Sequence, residues 1–271
     1  FYFKHNDVHD LEALLKHRAE LDKKNPKKAA KQRRFLIVEG IYMNTGTICP
    51  LPDLIGLCKR YKLRIFIDES ISFGTIGRSG RGVTEYYNIH RNDVDLICAS
   101  MENSLGSIGG FCVGSSFIVE HQRLSGLGYC FSASAPPLLA SAAIKALDII
   151  EQKPELLEKL AERCLQLHKA LNNSEIINNF FELPSHHSSP IQHLVVKDQS
   201  IPKDHQILIL NSIEDSCIQN EIAVIRAAYL ETEKFPPPAS LRIIANVKLE
   251  NEDIDKLITT LQNVCPLSFN L

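Results

Sequence analysis

Two short and almost wholly apolar segments, one on each side of a helical pattern, constrain the fold more than any other feature of this sequence. Residues 34–39 and 64–68 both lack the polar alternation of a strand with one solvated face. Between them, residues 51–61 repeat apolar side chains at the spacing of a helix. Strand, helix and strand in this order predict a parallel sheet with helices on both sides, and we expect both faces of the two strands to be covered.

The rest of the chain continues the α/β pattern and then departs from it. The patterns predict further strands at 95–98, 110–113, 192–196, 222–226 and 241–245, and helices after Pro136-Pro137, from Pro154, at 204–219 and at 250–264. The later elements no longer alternate as the earlier ones do. We therefore expect a large α/β domain over residues 1–150 and a C-terminal α+β domain, with its connecting helices, over residues 151–271.

Composition excludes several classes of protein. The chain carries 30 Lys and Arg against 32 Asp and Glu, a formal net charge of −2, which does not support nucleic-acid binding. No apolar run approaches the roughly 20 residues that cross a bilayer. The first residues show neither an initiator Met nor the charged and apolar regions of a signal peptide, so we expect a fragment that begins within a fold.

Neither the cysteines nor the histidines form a pattern typical of a metal site. The eight cysteines include no C-x-x-C pair, and several lie inside apolar runs, which favours buried free thiols in a reducing compartment. His186, His187 and His193 lie in or beside a polar stretch, without partners at metal-ligand spacing. We expect these histidines to lie on the surface, and we expect no metal site.

Asp68 is the first candidate for chemistry, because it follows a buried strand at the edge of the sheet where α/β proteins bind ligands. It could pair with a protonated ring nitrogen or hold a metal, or it could only cap the next turn. The glycines that follow fit neither a Walker A loop nor a dinucleotide fingerprint, so they predict a tight loop with positive φ angles: Gly74, Gly77, Gly80 and Gly82.

Hydroxyls and basic residues give weaker signals. Ser132 and Ser134 precede a helix, where they could contact a phosphate or cap the helix. Residues 16–34 hold nine Lys and Arg against two acids, which indicates either a solvated surface or a patch near anionic lipid headgroups. No G-x-S-x-G elbow surrounds Ser107, so serine hydrolase chemistry is not supported.

Several motifs occur together in an order that is more specific than any one of them. They are residues 3–7 (FKHND), 39–42 (EGIY), 68–74 (DESISFG) and 131–137 (FSASAPP). Their order and spacing resemble the α-oxoamine synthases, which are fold type I enzymes that depend on pyridoxal 5′-phosphate (PLP) and condense an amino acid with an acyl-CoA. The resemblance implies a mostly parallel sheet sandwiched by helices, in a large domain incomplete at its start, followed by the smaller domain.

The resemblance also implies roles for individual residues. Asp68 matches the partner of the pyridinium nitrogen, and Ser100 falls at a hydroxyl position on the phosphate side. Ser132 or Ser134 falls where such hydroxyls reach the cofactor of a neighbouring subunit. Arg242 matches the arginine that holds the amino-acid carboxylate, for which a planar two-pronged donor is well suited.

The departures from the family pattern bear on activity. Asn103 stands where the active enzymes have the lysine that binds PLP covalently, and a carboxamide can neither form that bond nor move the substrate's Cα proton. Ile71 replaces a histidine of the family motif, and Leu249 stands where a His-Thr pair would begin. The resemblance therefore implies a chain that has kept the fold and has no catalytic residue of its own.

For such a chain the resemblance implies a heterodimer in which a lysine-bearing partner subunit binds PLP covalently. The implied reaction joins L-serine to palmitoyl-CoA and gives 3-ketodihydrosphingosine. Small accessory and regulatory membrane subunits are implied, as is attachment to the cytosolic face of the endoplasmic reticulum through an N-terminal segment that this chain lacks. The alternatives are a regulatory or scaffold protein of the same fold and, less favoured because it lies in a helix, an enzyme that uses Lys145.

Overall fold

The structure, a computed structural model, describes residues 1–230 and 232–269. Its internal contacts divide these residues into two units. The first contains Phe1–Ile41 and Ile48–Lys153, and the second contains Tyr42–Thr47 and the described part of Pro154–Leu271. The domain boundary between residues 150 and 151 stays a prediction, and the sequence gives no sign that the short segment Tyr42–Thr47 belongs with the second unit.

The first unit contains one mixed sheet. Its strands are β1 (Phe35–Glu39), β2 (Arg64–Asp68), β3 (Leu96–Ser100) and β4 (Gly110–Gly114). They are ordered β1-β2-β3-β4, with β1, β2 and β3 parallel and β4 antiparallel to β3. The helices of this unit are α1 (Val8–Lys24), α2 (Pro26–Ala29), α3 (Leu51–Tyr61), α4 (Val83–Tyr86), α5 (Ser116–Ser125), α6 (Leu127–Phe131) and α7 (Pro137–Gln152). The α/β class expected from the sequence is confirmed.

Strand β1 shows where the expectation of two covered faces is wrong. Leu36 and Val38 are buried on one side of the strand, whereas Phe35 and Ile37 on the other side are 50% and 68% exposed. The strand lies at the edge of the sheet, and within the described residues only one of its faces is packed. A continuous apolar run therefore indicates which residues can be buried and leaves open whether this chain buries them.

The second unit is an α+β arrangement with a contiguous core. Its strands are β5 (Phe181–Glu182), β6 (Ile191–Val196), β7 (Ile225–Arg226) and β8 (Ser240–Ile244), and its helices are α8 (Glu155–Asn172), α9 (Glu175–Phe180), α10 (Lys203–Gln219) and α11 (Asn251–Ser268). The strands form an antiparallel sheet in the order β5-β6-β8-β7. Buried side chains of the sheet and its helices join in one cluster, which includes Leu167, Phe181 and Leu241.

Candidate functional site

Asp68 lies at the carboxyl end of β2 and is half-buried. Its Oδ1 accepts a hydrogen bond from the backbone N–H of Ser70 at 2.8 Å. The carboxylate therefore caps the turn after the strand, which is one of the interpretations that the sequence left open. Because this bond uses only Oδ1, the side chain keeps an acceptor oxygen for a protonated ring nitrogen.

Ser70 connects three of the residues that the sequence singled out. Besides donating to Asp68, its hydroxyl accepts from the N–H of Ser100 at 2.8 Å, and its carbonyl accepts from Nδ2 of Asn103 at 2.9 Å. Ser100 in turn accepts from the N–H of Glu102 at 3.1 Å. Sequence reasoning missed Ser70, whose only signal is its place two residues past the end of an apolar strand.

Asn103 lies in the connection between β3 and β4, and its predicted match to the lysine position of the active enzymes stays a prediction. Its side chain is exposed, and its amide already donates to the Ser70 carbonyl. The whole stretch 96–114, which forms β3, β4 and the turn between them, contains no lysine. The residues present fit a ring-nitrogen contact at Asp68, and residues 96–114 offer no side-chain amine to which a cofactor could be joined covalently.

The buried carboxylate of Glu69 accepts hydrogen bonds from the loop that follows β2. Glu69 is 2% exposed, and it accepts from the hydroxyl of Ser72 and from the N–H of Val83 at 2.9 Å. Burial raises its pKa, while these hydrogen bonds and the N–H of Thr84 lower it. All the glycines named above, from position 74 to position 82, have positive φ angles, which confirms the predicted tight loop.

Ser132 and Ser134 lie on an exposed segment between α6 and α7. The residue at the N-cap of α7 is Pro136, and no side chain caps this helix, so the capping interpretation of the two serines is wrong. The start of α7 is held instead by Ser107, whose buried hydroxyl donates to the Leu139 carbonyl at 2.8 Å. A contact between Ser132 or Ser134 and a cofactor stays a prediction.

Arg242 lies on β8 in the second unit, paired in register with His193 on β6 and with Ile225 on β7. Its guanidinium is half-exposed, but its Nε is buried and has no hydrogen-bond partner among the described residues. A buried donor without an acceptor is costly, and a bound carboxylate would supply the missing acceptor. This geometry is compatible with the predicted role of Arg242.

His193 corrects the expectation of a surface residue. It is fully buried, because it belongs to β6 and not to the polar stretch that precedes the strand. Its Nε2 lies 3.0 Å from the Met43 carbonyl and its Nδ1 lies 2.9 Å from the Ser240 hydroxyl. A carbonyl only accepts, so Nε2 carries a proton. Burial, with a smaller contribution from Arg242, lowers the pKa of His193 to about 4.

His193 is part of a row of contacts that binds the segment Tyr42–Thr47. Consecutive carbonyls of this segment accept hydrogen bonds from the second unit: Met43 from His193 Nε2 at 3.0 Å, Asn44 from the Tyr229 hydroxyl at 3.4 Å, Thr45 from the Ser185 hydroxyl at 2.8 Å and Gly46 from the His186 N–H at 3.0 Å. These bonds join residues that are more than a hundred positions apart, which is why no local pattern predicts them.

Residues 1–261 match the model of the aminotransferase class I and II family. The chain belongs to this family. It is 41% identical over 261 residues to serine palmitoyltransferase 1 of Dictyostelium discoideum, a match that covers 95% of this chain and 54% of that protein. It is 38% identical over 264 residues to long chain base biosynthesis protein 1b of Oryza sativa subsp. japonica, covering 97% of this chain and 53% of that one.

A solved structure shows the same fold at lower identity. Serine palmitoyltransferase of S. paucimobilis matches 99% of this chain and 61% of its own chain, with a TM-score of 0.81 and 23% identity. The fold is that of the fold type I PLP-dependent transferases. The chain spans about half the length of the curated relatives it matches.

In the part of the chain that the structure describes, no helix combines the length and the apolar character that crossing a membrane requires. In the same residues, His, Cys, Asp and Glu side chains nowhere gather in a group of three or more suited to a metal ion.

Proposed function

We propose that this chain is the lysine-less subunit of a heteromeric serine palmitoyltransferase. The enzyme condenses L-serine with palmitoyl-CoA to 3-ketodihydrosphingosine, the first step of sphingolipid synthesis. The observation that carries the proposal is Asn103, whose amide is tied to the Ser70 carbonyl within an otherwise family-like frame. In this proposal the chain is required for the reaction, but without an amine at this position it does not perform the covalent chemistry.

In this proposal the partner subunit bears the lysine and binds PLP covalently. When bound, the cofactor supplies the electron sink for the amino-acid carbanion. This chain supplies the other subunit of the heterodimer, with Asp68 and Ser100 as remnants of a cofactor site and Ser132 and Ser134 as hydroxyls offered to the partner's site. Arg242 would bind a carboxylate through the guanidinium whose Nε has no acceptor among the described residues.

The proposed setting follows from the resemblance of the sequence motifs to the α-oxoamine synthases. We place the complex at the cytosolic face of the endoplasmic reticulum membrane, together with small accessory and regulatory membrane subunits. The similarity to proteins named for serine palmitoyltransferase and long chain base biosynthesis supports a role in sphingolipid synthesis.

Co-expression separates this proposal from a regulatory or scaffold protein of the same fold. The lysine-bearing subunit is produced alone, with this chain, and with this chain carrying Arg242→Ala, and 3-ketodihydrosphingosine formation from labelled L-serine is measured. We expect product only when both subunits are present, and less product with Arg242→Ala. The matched control is Arg33→Ala, an exposed residue near the start of β1, which should leave the rate unchanged.

Full condensing activity from the partner alone would contradict the proposal and favour a scaffold. Restoring the amine gives a second test, because Asn103→Lys leaves Ile71 and the rest of the altered motif in place. We expect no turnover from the isolated Asn103→Lys chain. Robust turnover from that variant would show that the remaining machinery is intact.

A further inference from the structure

Two cysteines face each other across the antiparallel pair of strands in the first unit. Cys98 on β3 is paired in register with Cys112 on β4. Both thiols are free and neither is fully buried. On the other side of Cys98, Asp68 of β2 is its partner in the parallel register, so one row across three strands reads Asp68, Cys98 and Cys112.

The register places the two thiols within bonding reach. Directly opposed residues of an antiparallel pair have Cα atoms about 4.5–5.5 Å apart, and their side chains point to the same face of the sheet. Disulfides form when the Cα atoms are about 4.4–6.8 Å apart. A bond between Cys98 and Cys112 therefore needs rotation of the side chains and no rearrangement of the strands.

We propose that Cys98 and Cys112 form an oxidisable dithiol, a modification site that closes into a disulfide across β3 and β4. With hydrogen peroxide as oxidant, one thiol loses its proton and its thiolate attacks a peroxide oxygen, which gives a sulfenic acid while the O–O bond breaks and the departing hydroxide takes up the proton as water. The second thiol then displaces the hydroxyl as a further water, and the S–S bond forms. In total, two thiols and one peroxide give one disulfide and two waters.

The surroundings of the two sulfurs assign the first step to Cys112. Burial raises the pKa of Cys98 to about 11, and the carboxylate of Asp68 disfavours its thiolate further. Burial also raises the pKa of Cys112, but a hydrogen bond from Gln122 stabilises its thiolate. Because the thiolate is the nucleophile, Cys112 attacks the peroxide and Cys98 resolves the sulfenic acid.

The other cysteines of the chain do not share this arrangement. Buried positions are occupied by Cys49, Cys58, Cys164, Cys217 and Cys265. Cys130 is exposed but lies on α6 and not on a paired strand, so it serves as the natural control for a reactive thiol without a resolving partner. The proposal concerns this chain's own residues and holds whether or not the chain is a transferase subunit.

The test is mild oxidation of the reduced chain by hydrogen peroxide, followed by intact-mass measurement and peptide mapping. We expect the chain and its Cys130→Ser variant to lose two hydrogens and to yield one peptide pair joined through Cys98 and Cys112. In Cys98→Ser we expect a sulfenic acid at Cys112, trapped by dimedone, and in Cys112→Ser we expect Cys98 to stay reduced. Circular dichroism of each variant checks that it folds.

A link that involves Cys130, or separate oxygen adducts on Cys98 and Cys112 without a bond between them, would overturn the proposal. A second measurement needs no oxidant. Phenylarsine oxide bridges two neighbouring thiols with loss of water, and we expect the chain and Cys130→Ser to retain one arsenical through a monothiol wash. Retention by Cys98→Ala or Cys112→Ala would show that the arsenical binds elsewhere and would contradict the pairing.

Discussion

Phe181 in the second unit and Phe35 in the first are both strand phenylalanines, yet they are 2% and 50% exposed. Phe181 packs into a cluster that draws on both the sheet and the helices of its unit. Phe35 lies on an edge strand, on the sheet face that the described residues leave partly open. The comparison teaches that similar apolar strands contribute very different amounts to stability, according to whether something covers them.

The two units also divide the candidate chemistry differently. In the first unit, Asp68, Ser100 and Asn103 converge on Ser70 through hydrogen bonds of 2.8–2.9 Å. In the second unit, Arg242 retains an unsatisfied donor beside a buried neutral histidine. In the first region Asp68 keeps an acceptor oxygen that its bond to Ser70 does not use, whereas in the second Arg242 keeps a buried donor without a partner among the described residues.

The largest expected effect comes from truncating the two phenylalanines. Phe181→Ala leaves a cavity in the covered core and should lower the free energy of unfolding of its unit by about 3–5 kcal/mol. Phe35→Ala removes a half-exposed ring and should cost less than about 1 kcal/mol. Urea unfolding of both variants measures the difference. Equal losses would break the comparison, since they would mean that the face around Phe35 is covered.

Protonation of His193 provides a pH-dependent test of the covered unit. The pKa is about 4 in the folded chain against an ordinary value of 6.5, so the unfolded state binds the proton first. His193 should therefore lower stability as the pH falls from 6.5 to 4, by up to about 3 kcal/mol, with no further change below that window. At neutral pH His193 is unprotonated in both the folded and the unfolded chain, so this loss of stability should be absent there.

The measurement is the free energy of unfolding at pH 7 and at pH 4.5 for the chain, for His193→Gln and for His205→Gln. His205 is an exposed residue of α10 in the same unit, so its variant should keep the pH dependence of the parent, whereas His193→Gln should lose part of it. An unchanged pH dependence in His193→Gln would show that the ring is not held neutral.

A smaller effect is expected at two glycines of the first unit, and it sharpens the comparison there. Gly82 has a φ of +80°, and an added Cβ would lie 2.0 Å from Oε2 of Glu69, so Gly82→Ala should cost about 1–3 kcal/mol. Gly56 lies in α3 with nothing within 4 Å, so Gly56→Ala should stabilise by about 0.5–1 kcal/mol. The melting temperatures of the two variants and the parent chain measure these effects. An unchanged melting temperature in Gly82→Ala would mean that the loop can rearrange around Glu69 despite the buried carboxylate.

Local patterns predicted what depends on neighbours in sequence. The strand at 64–68 has the bounds that its apolar run indicated. The positive φ angles of the loop glycines follow from glycine spacing in the same way. The order of the family motifs assigns Asn103 to the lysine position, and that assignment stays a prediction.

The remaining features depend on contacts between distant segments. The two-residue strand β5 is too short to show a period, and it exists because it pairs with β6. The hydrogen bond between Ser70 and Ser100 joins residues 30 positions apart, and the bond between His193 and Met43 joins residues 150 positions apart. No short window of sequence contains both partners of either bond. Composition shows that the side chains around Phe35 are apolar, but it does not show whether another segment packs against them.

The central claim is that this chain has no amine for PLP, and borohydride trapping tests it most directly. The chain is co-expressed with the lysine-bearing subunit, incubated with PLP, reduced and digested, and both polypeptides are searched for phosphopyridoxyl-lysine by mass spectrometry. We expect the modified lysine only in the partner, with residues 96–114 of this chain unmodified. A reduced PLP adduct on a lysine in the first unit of this chain, formed in stoichiometric amount, would contradict the account.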